Sequence, residues 1–172
     1  MAVSGYILLN MALEHTESKD LTTPAETLPK IKFDVTSGTG ASQMDQVWHY
    51  SSSAGTSGVG DVLIDLQGGG NGDVDPVDSY GSTLDFDEVR MLYVKNTDSS
   101  NILYVGGGGG GSEWLSLFAT AGDYVKIRPG GVMFVYAPDT AGYAVADNND
   151  LLMIHASAAS TTYDIIIGGV SA

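Results

Sequence analysis

The stretch GGGNGDVDPVD (68–78) places Asp73, Asp75 and Asp78 close together among glycines. Hard carboxylate oxygens on a flexible loop are the donor set that calcium takes. The spacing misses the EF-hand, which needs D-x-[DN]-x-[DN]-G and a later bidentate Glu. It also misses the glycine-rich calcium repeat, because Val74 stands where that repeat wants Asp and the stretch occurs once. Asp73, Asp75 and Asp78 are therefore calcium candidates set against a plain reading as an acidic turn in water. DNND (147–150) is explained by Asn/Asp turn chemistry without a metal. Calcium is the one cofactor left open, and no other is expected.

The second suggestive stretch is NILYVGGGGGGSEW (101–114), with glycine at every position from Gly106 to Gly111. A phosphate-binding loop of the G-x-x-x-x-G-K-[ST] type needs the Lys as its phosphate ligand. Here Ser112 and Glu113 follow instead, and a carboxylate repels phosphate. A dinucleotide fingerprint must open a helix within a βαβ unit, and the surrounding runs are all strand-like. The glycines read as a flexible loop between strands.

Other catalytic constellations are missing from the sequence. His15, His49 and His155 stand at no common helical or strand spacing, so a zinc site is not indicated. His155 reads as a structural histidine on the strand face of Leu151 and Met153. No G-x-S-x-G elbow is present, and SSSAGTSG (51–58) reads as a polar loop. Acids are numerous, but no pair stands out for glycoside hydrolysis. Trp48, Tyr50 and Trp114 are candidates for a sugar-stacking face, although aromatics on β-sheets more often serve core or interface. The chain is not expected to be an enzyme.

The elements that would position these residues have period two. KIKFDV (30–35) sets Ile31, Phe33 and Val35 opposite Lys30, Lys32 and Asp34, and DVLIDL (61–66) sets Val62, Ile64 and Leu66 opposite Asp61 and Asp65. DYVKIRPGG (123–131) and TYDIIIGG (162–169) alternate likewise. VRMLYVKN (89–96), VMFVYAP (132–138) and LLMIHAS (151–157) are apolar on both faces and so read as central strands. Turn signals such as NTDSSN, RPGG, APDTAG and ADNND separate the runs. EWLSLFATAG (113–122) is the best helical candidate, with a strand or 3₁₀ turn as alternatives. The expected fold is an all-β antiparallel sandwich, jelly-roll-like, of about 8–10 strands. At 172 residues it is expected to form one domain overall, with residues 1–44 as an N-terminal arm or first strands and 45–172 as the sandwich.

Charge and composition narrow the function classes. The chain carries 21 acidic and 7 basic residues, a formal net charge of -14. No Lys or Arg lies between Lys32 and Arg90. Nucleic acid and anionic membranes both need clustered cations, so neither is an expected partner. A basic protein partner or a cation suits this surface. Cysteine is absent, which removes disulfides, thiolate metal sites and thiol nucleophiles. The start MAVSGYILLNMALEH lacks a basic n-region, and a soluble product made in the cytoplasm is expected. Within it, Tyr6, Ile7, Leu8 and Leu9 form an apolar segment ahead of the polar EHTESKDLTTPAETLP (14–29). They are interaction candidates for packing against a neighbouring subunit, or else a first strand of the sandwich.

LDFDEVRMLYVKNTDSSNILYVGG, followed by YVKIRPGGVMFVYAPDTAGYAV and NDLLMIHASAASTTYDIIIGG, resembles small all-β virion proteins of tailed bacteriophages. The shared features are a strand ending in Val-Lys-Asn, a glycine-rich loop, an Arg-Pro-Gly-Gly turn, Asn-Asp-Leu-Leu, and a closing Tyr-Asp-Ile-Ile-Ile-Gly strand. The resemblance covers residues 84–169, about half of the chain. It implies a capsid decoration or cement protein on the virion's capsid surface that binds the major capsid protein and itself, as a homo-oligomer such as a trimer. It brings no catalytic residues. The alternative is a tail or head-fibre module that binds host glycans through Trp48, Tyr50 or Trp114.

Overall fold

In the computed structural model, residues 5–9, 31–107 and 111–171 are described. They form β1 (Gly5–Leu9), β2 (Ile31–Val35), β3 (Gln46–Ala54), β4 (Val62–Asp65), β5 (Phe86–Asn96), β6 (Leu103–Gly106), β7 (Tyr124–Ile127), β8 (Val132–Tyr136), β9 (Tyr143–Ala144), β10 (Leu151–Ala156) and β11 (Thr161–Ser171). No helix occurs among the described residues. One sheet runs β4-β10-β6-β7 and the other β3-β11-β5-β8, with β9 beside β5. Every strand pair is antiparallel. The two sheets pack as an all-β sandwich. β1 and β2 pair only with each other, in a separate two-stranded sheet. Residues 10–30, which include the polar stretch 14–29, and Gly108–Gly110 lie outside the described residues.

The alternation seen in the sequence decides which side chains go inside. Ile64, Leu103, Val105, Ile127, Leu152 and Ile154 come from one sheet and Trp48, Leu92, Val94, Met133, Ile165 and Ile167 from the other, in one continuous buried cluster. Burying each large aliphatic side chain is worth about 1.5–3 kcal/mol. That supply must offset the backbone entropy of ordering the chain.

Three elements depart from the sequence reading. Ser51, Ser52 and Ser53 do not form a loop: they lie in β3, opposite Asp164, Tyr163 and Thr162 of β11. Their ladder bonds come from the backbone, so the serine side chains carry no signal of it. EWLSLFATAG is not helical either. The Trp114 N–H donates to Leu151 O at 2.9 Å and the Trp114 ring is wholly buried, which pulls the segment onto the sandwich as bends and turns. β8 ends its sheet rather than lying centrally. Its second apolar face is covered at one end, where Phe33 of β2 meets Tyr136 with ring centroids 4.7 Å apart, while Val132 at the other end is exposed.

Behind this sheet a buried cation ties two loops together. The Arg90 side chain is only 1% exposed and lies 2.7 Å from Glu88 Oε2. Its guanidinium donates to the carbonyls of Thr39 at 2.9 Å, Gln43 at 2.8 Å and Thr140 at 3.1 Å, and also to that of Gly40. A guanidinium held this way satisfies carbonyls that would otherwise be buried without donors. The end of β11 is stitched to the start of β3 by Ser171, whose N–H and hydroxyl both donate to Asp45 at 2.8 Å.

Two changes test this framework. Arg90→Met is expected to cost about 3–5 kcal/mol in denaturant unfolding, because it orphans the carbonyls and Glu88 together. Gly169→Ala puts a Cβ 2.1 Å from Glu88 O and 2.8 Å from Phe86 Cδ1, facing the bulge in β5 at which Arg90 is the extra residue. It is expected to cost at least about 1–3 kcal/mol.

Candidate functional site

The three calcium candidates belong to one loop, and two of them, Asp73 and Asp78, already accept backbone N–H groups. Asp73 Oδ2 accepts the Leu63 N–H at 3.0 Å. Asp78 Oδ1 accepts the N–H groups of Tyr80 at 2.8 Å and Ser82 at 2.9 Å. Asp75 Oδ1 is shut off from solvent without a hydrogen-bond partner among the described residues. No three His, Asp or Glu side chains of the described residues converge as a metal ion would need. Asp73 and Asp78 act here as acceptors that shape an acidic turn.

The residue that organises this loop is one the sequence did not single out. Asp65, at the end of β4, is fully buried. Its two oxygens accept the N–H groups of Gln67 at 3.1 Å and Asn71 at 2.8 Å. Opposite Asp65 in the ladder is Leu151, next to Asp150, which is also buried and whose Oδ1 has no hydrogen-bond partner among the described residues. Loss of hydration raises the Asp150 carboxyl above its ordinary range, with repulsion from Asp65 and Asp147 adding to it. Asp85 is shifted the same way, by partial burial first and then by Asp87, Asp147 and Asp65. The signal available in the sequence was a lone Asp on the inner end of an otherwise apolar run, which alternation alone does not distinguish from an exposed one.

The glycine run lies between β6 and β7, and its described residues, Gly106, Gly107 and Gly111, form no phosphate cradle. The Gly111 N–H donates to Glu113 Oε1 at 3.0 Å, so a carboxylate occupies the donor that a phosphate would use. Close packing explains two of the glycines. A Cβ on Gly106 would lie 2.0 Å from Asp123 O, and one on Gly107 would lie 2.8 Å from Leu115 Cδ2.

The aromatic candidates do not make a common platform. Trp114 is wholly buried, with Nε1 donating to Ala144 O at 2.9 Å and its ring edge-on to Phe118 and Tyr143. It offers no face to a sugar. Trp48 is also buried and stacks on half-buried Tyr50, with centroids 5.1 Å apart. Tyr6 is 63% exposed on β1, where Ile7, Leu8 and Leu9 pair with Phe33, Lys32 and Ile31. His155 is buried, stacked on Tyr104 at 4.7 Å and edge-on to Tyr124 at 4.5 Å. Burial depresses its pKa against the opposing pull of Asp61. His49 is exposed on β3, and His15 lies outside the described residues.

Among the described residues, surface hollows run along β3. Two adjoining depressions, of about 240 Å³ and 440 Å³, share Val47 and Asp78. The smaller is lined by Asp45, Gln46, Val47, Asp78, Leu84 and Ser171. The larger is lined by Val47, Trp48, His49, Tyr50 and the loop residues Val77–Ser79, and is mainly apolar. Compared with known proteins, the chain matches no family model, no curated protein and no solved structure.

The strained acidic pair gives a prediction with a definite sign. A carboxyl whose pKa is raised on folding costs stability above its folded pKa, and that cost disappears below its unfolded pKa. Asp150→Asn is therefore expected to raise Tm at pH 7. The gain should shrink as pH falls through the raised pKa toward the ordinary carboxylate range of about 4, and vanish below it. Thermal melts of both proteins from pH 7 to pH 3 check this.

Proposed function

We propose that this chain is a non-enzymatic virion structural protein, a capsid decoration or cement protein that binds and stabilises the major capsid lattice of a tailed bacteriophage. The observation that carries the reading is the strand order. Strands β3, β4, β5 and β6 lead outward, and β7, β8, β10 and β11 return, so that β3 pairs β11, β4 pairs β10, β5 pairs β8 and β6 pairs β7. A long antiparallel hairpin rolled up in this way is the jelly-roll arrangement, which is frequent in viral capsid proteins. We read the fold as that finer class. The segments that resemble phage virion proteins, residues 84–169, fall on β5 through β11.

A lattice-binding role also suits the way the polar residues are used. Asp65, Asp73, Asp78, Glu113 and Arg90 hold loops in shape, and cementing needs only area and complementarity repeated over many copies. An acidic protein complements basic patches on a capsid exterior. The chain would be made in the host cytoplasm and reside on the capsid surface, in self-association as well as bound to capsid subunits.

Quantitative mass spectrometry of purified particles tests the reading. Copy number close to that of the major capsid protein is expected, and absence from particles would sink it. Deletion of residues 1–22 removes β1 but leaves every strand of both larger sheets. The shortened chain is expected to fold with a cooperative melt and to bind particles more weakly. Loss of folding would instead make β1 part of the core.

A further inference from the structure

We propose that the free edge of β3 takes up an extended, basic segment of another protein as an added strand. The proposal rests on the geometry of β3 and not on the virion reading. β3 ends its sheet and pairs on one side only, with β11, through an unbroken register from Gln46–Gly169 to Ala54–Thr161. Edge strands are ordinarily blunted by shortness, Lys, Pro or a bulge. The other end strands of the two larger sheets are short: β4 and β7 have 4 residues each and β8 has 5. β3 has 9 residues, QVWHYSSSA, with no Lys, Arg or Pro.

The depressions beside β3 lie where an added strand would run. Four consecutive residues, Val47 to Tyr50, line the larger one. Successive strand residues point to opposite faces, so a hollow touching all four lies along the edge and not over either face. An added strand forms backbone bonds to such an edge and places alternate side chains in adjoining pockets. The larger hollow, over Trp48, Tyr50 and Val77, takes an apolar side chain. The smaller, with Asp45 and Asp78 on its walls, takes a Lys or Arg.

Charge selects the occupant. β3 and the loop residues 77–79 beside it both fall in the stretch between Lys32 and Arg90 that holds no Lys or Arg, and the whole chain carries -14. A second copy would bring the same acidic surface against itself, whereas a basic segment is drawn in.

The test uses the intact chain and fluorescein-labelled (Lys-Val)4 in an anisotropy titration at moderate salt. Lys-Pro-Pro-Lys-Lys-Pro-Pro-Lys is the control, with equal charge and with Pro at both alternating positions, so that it lacks half of the donors toward either edge. The (Lys-Val)4 peptide is expected to bind at least about tenfold more tightly, and its amide shift changes to fall on residues 46–54 and 77–84. His49→Lys/Ser51→Lys, at two exposed positions, should weaken binding by a similar factor while leaving Tm unchanged. Ala119→Lys/Ala121→Lys, also at exposed positions and with the same added charge outside this edge, should have little effect. Equal binding of the two peptides, shifts scattered over the acidic surface, or equal weakening by both double variants would overturn the proposal. So would a dimer in sedimentation that His49→Lys/Ser51→Lys dissociates, since the occupant would then be a second copy. None of these outcomes bears on abundance in particles.

Discussion

A strand paired on both edges and buried on one face has no freedom of register, because a slip by one residue would turn its apolar side chains outward. β11 is in that position. It holds β3 on one side and β5 on the other, with Ile165 and Ile167 fully buried. Its glycines let the neighbours close in: Gly168 leaves room for Met44 and Met91, and Gly169 for the backbone of Glu88 and the ring of Phe86. Once β11 is placed, β3 and β5 have their register, and the apolar inner face against which the second sheet packs is complete.

The charged residues inside the molecule follow from that packing. Closing the sandwich traps loop carbonyls behind β5 and loop N–H groups at the end of β4. Arg90 answers the first need with a fork of donors, and Asp65 answers the second with two acceptors. Asp150 lies close enough to Asp65 for their charges to repel in surroundings that hydrate neither well. This is a local cost carried by a core large enough to bear it.

On both proposed readings function lies on edges and loops, while Asp65, Asp73, Asp78 and Arg90 hold backbone. The virion reading and the β3 edge agree on this point from different observations. The first comes from strand order and the run of motifs from β5 to β11. The second comes from a long, uncharged strand left without a partner at the rim of an acidic protein.

Alternation of apolar and polar residues made β2, β4, β7 and β11 legible directly, because a strand with one wet face must repeat every two residues. β5 and β10 were legible as doubly apolar central strands. β3 was not, since an edge strand held by backbone bonds tolerates serines that look like loop. The candidate site was legible only as residue types. Asp73, Asp75 and Asp78 were visible as acids, but the engagement of Asp73 with Leu63 and of Asp78 with Tyr80 and Ser82 was not. Trp114 was visible as an aromatic, but not that it fills the core. The sequence by itself determined the all-β class, the acidic charge and the lack of a complete catalytic motif, because these depend on local pattern and composition. Only the tertiary structure decided which strand became an exposed edge, which carboxylates were buried and which aromatics faced inward. Those outcomes depend on contacts between residues far apart in the chain, which no local spacing records.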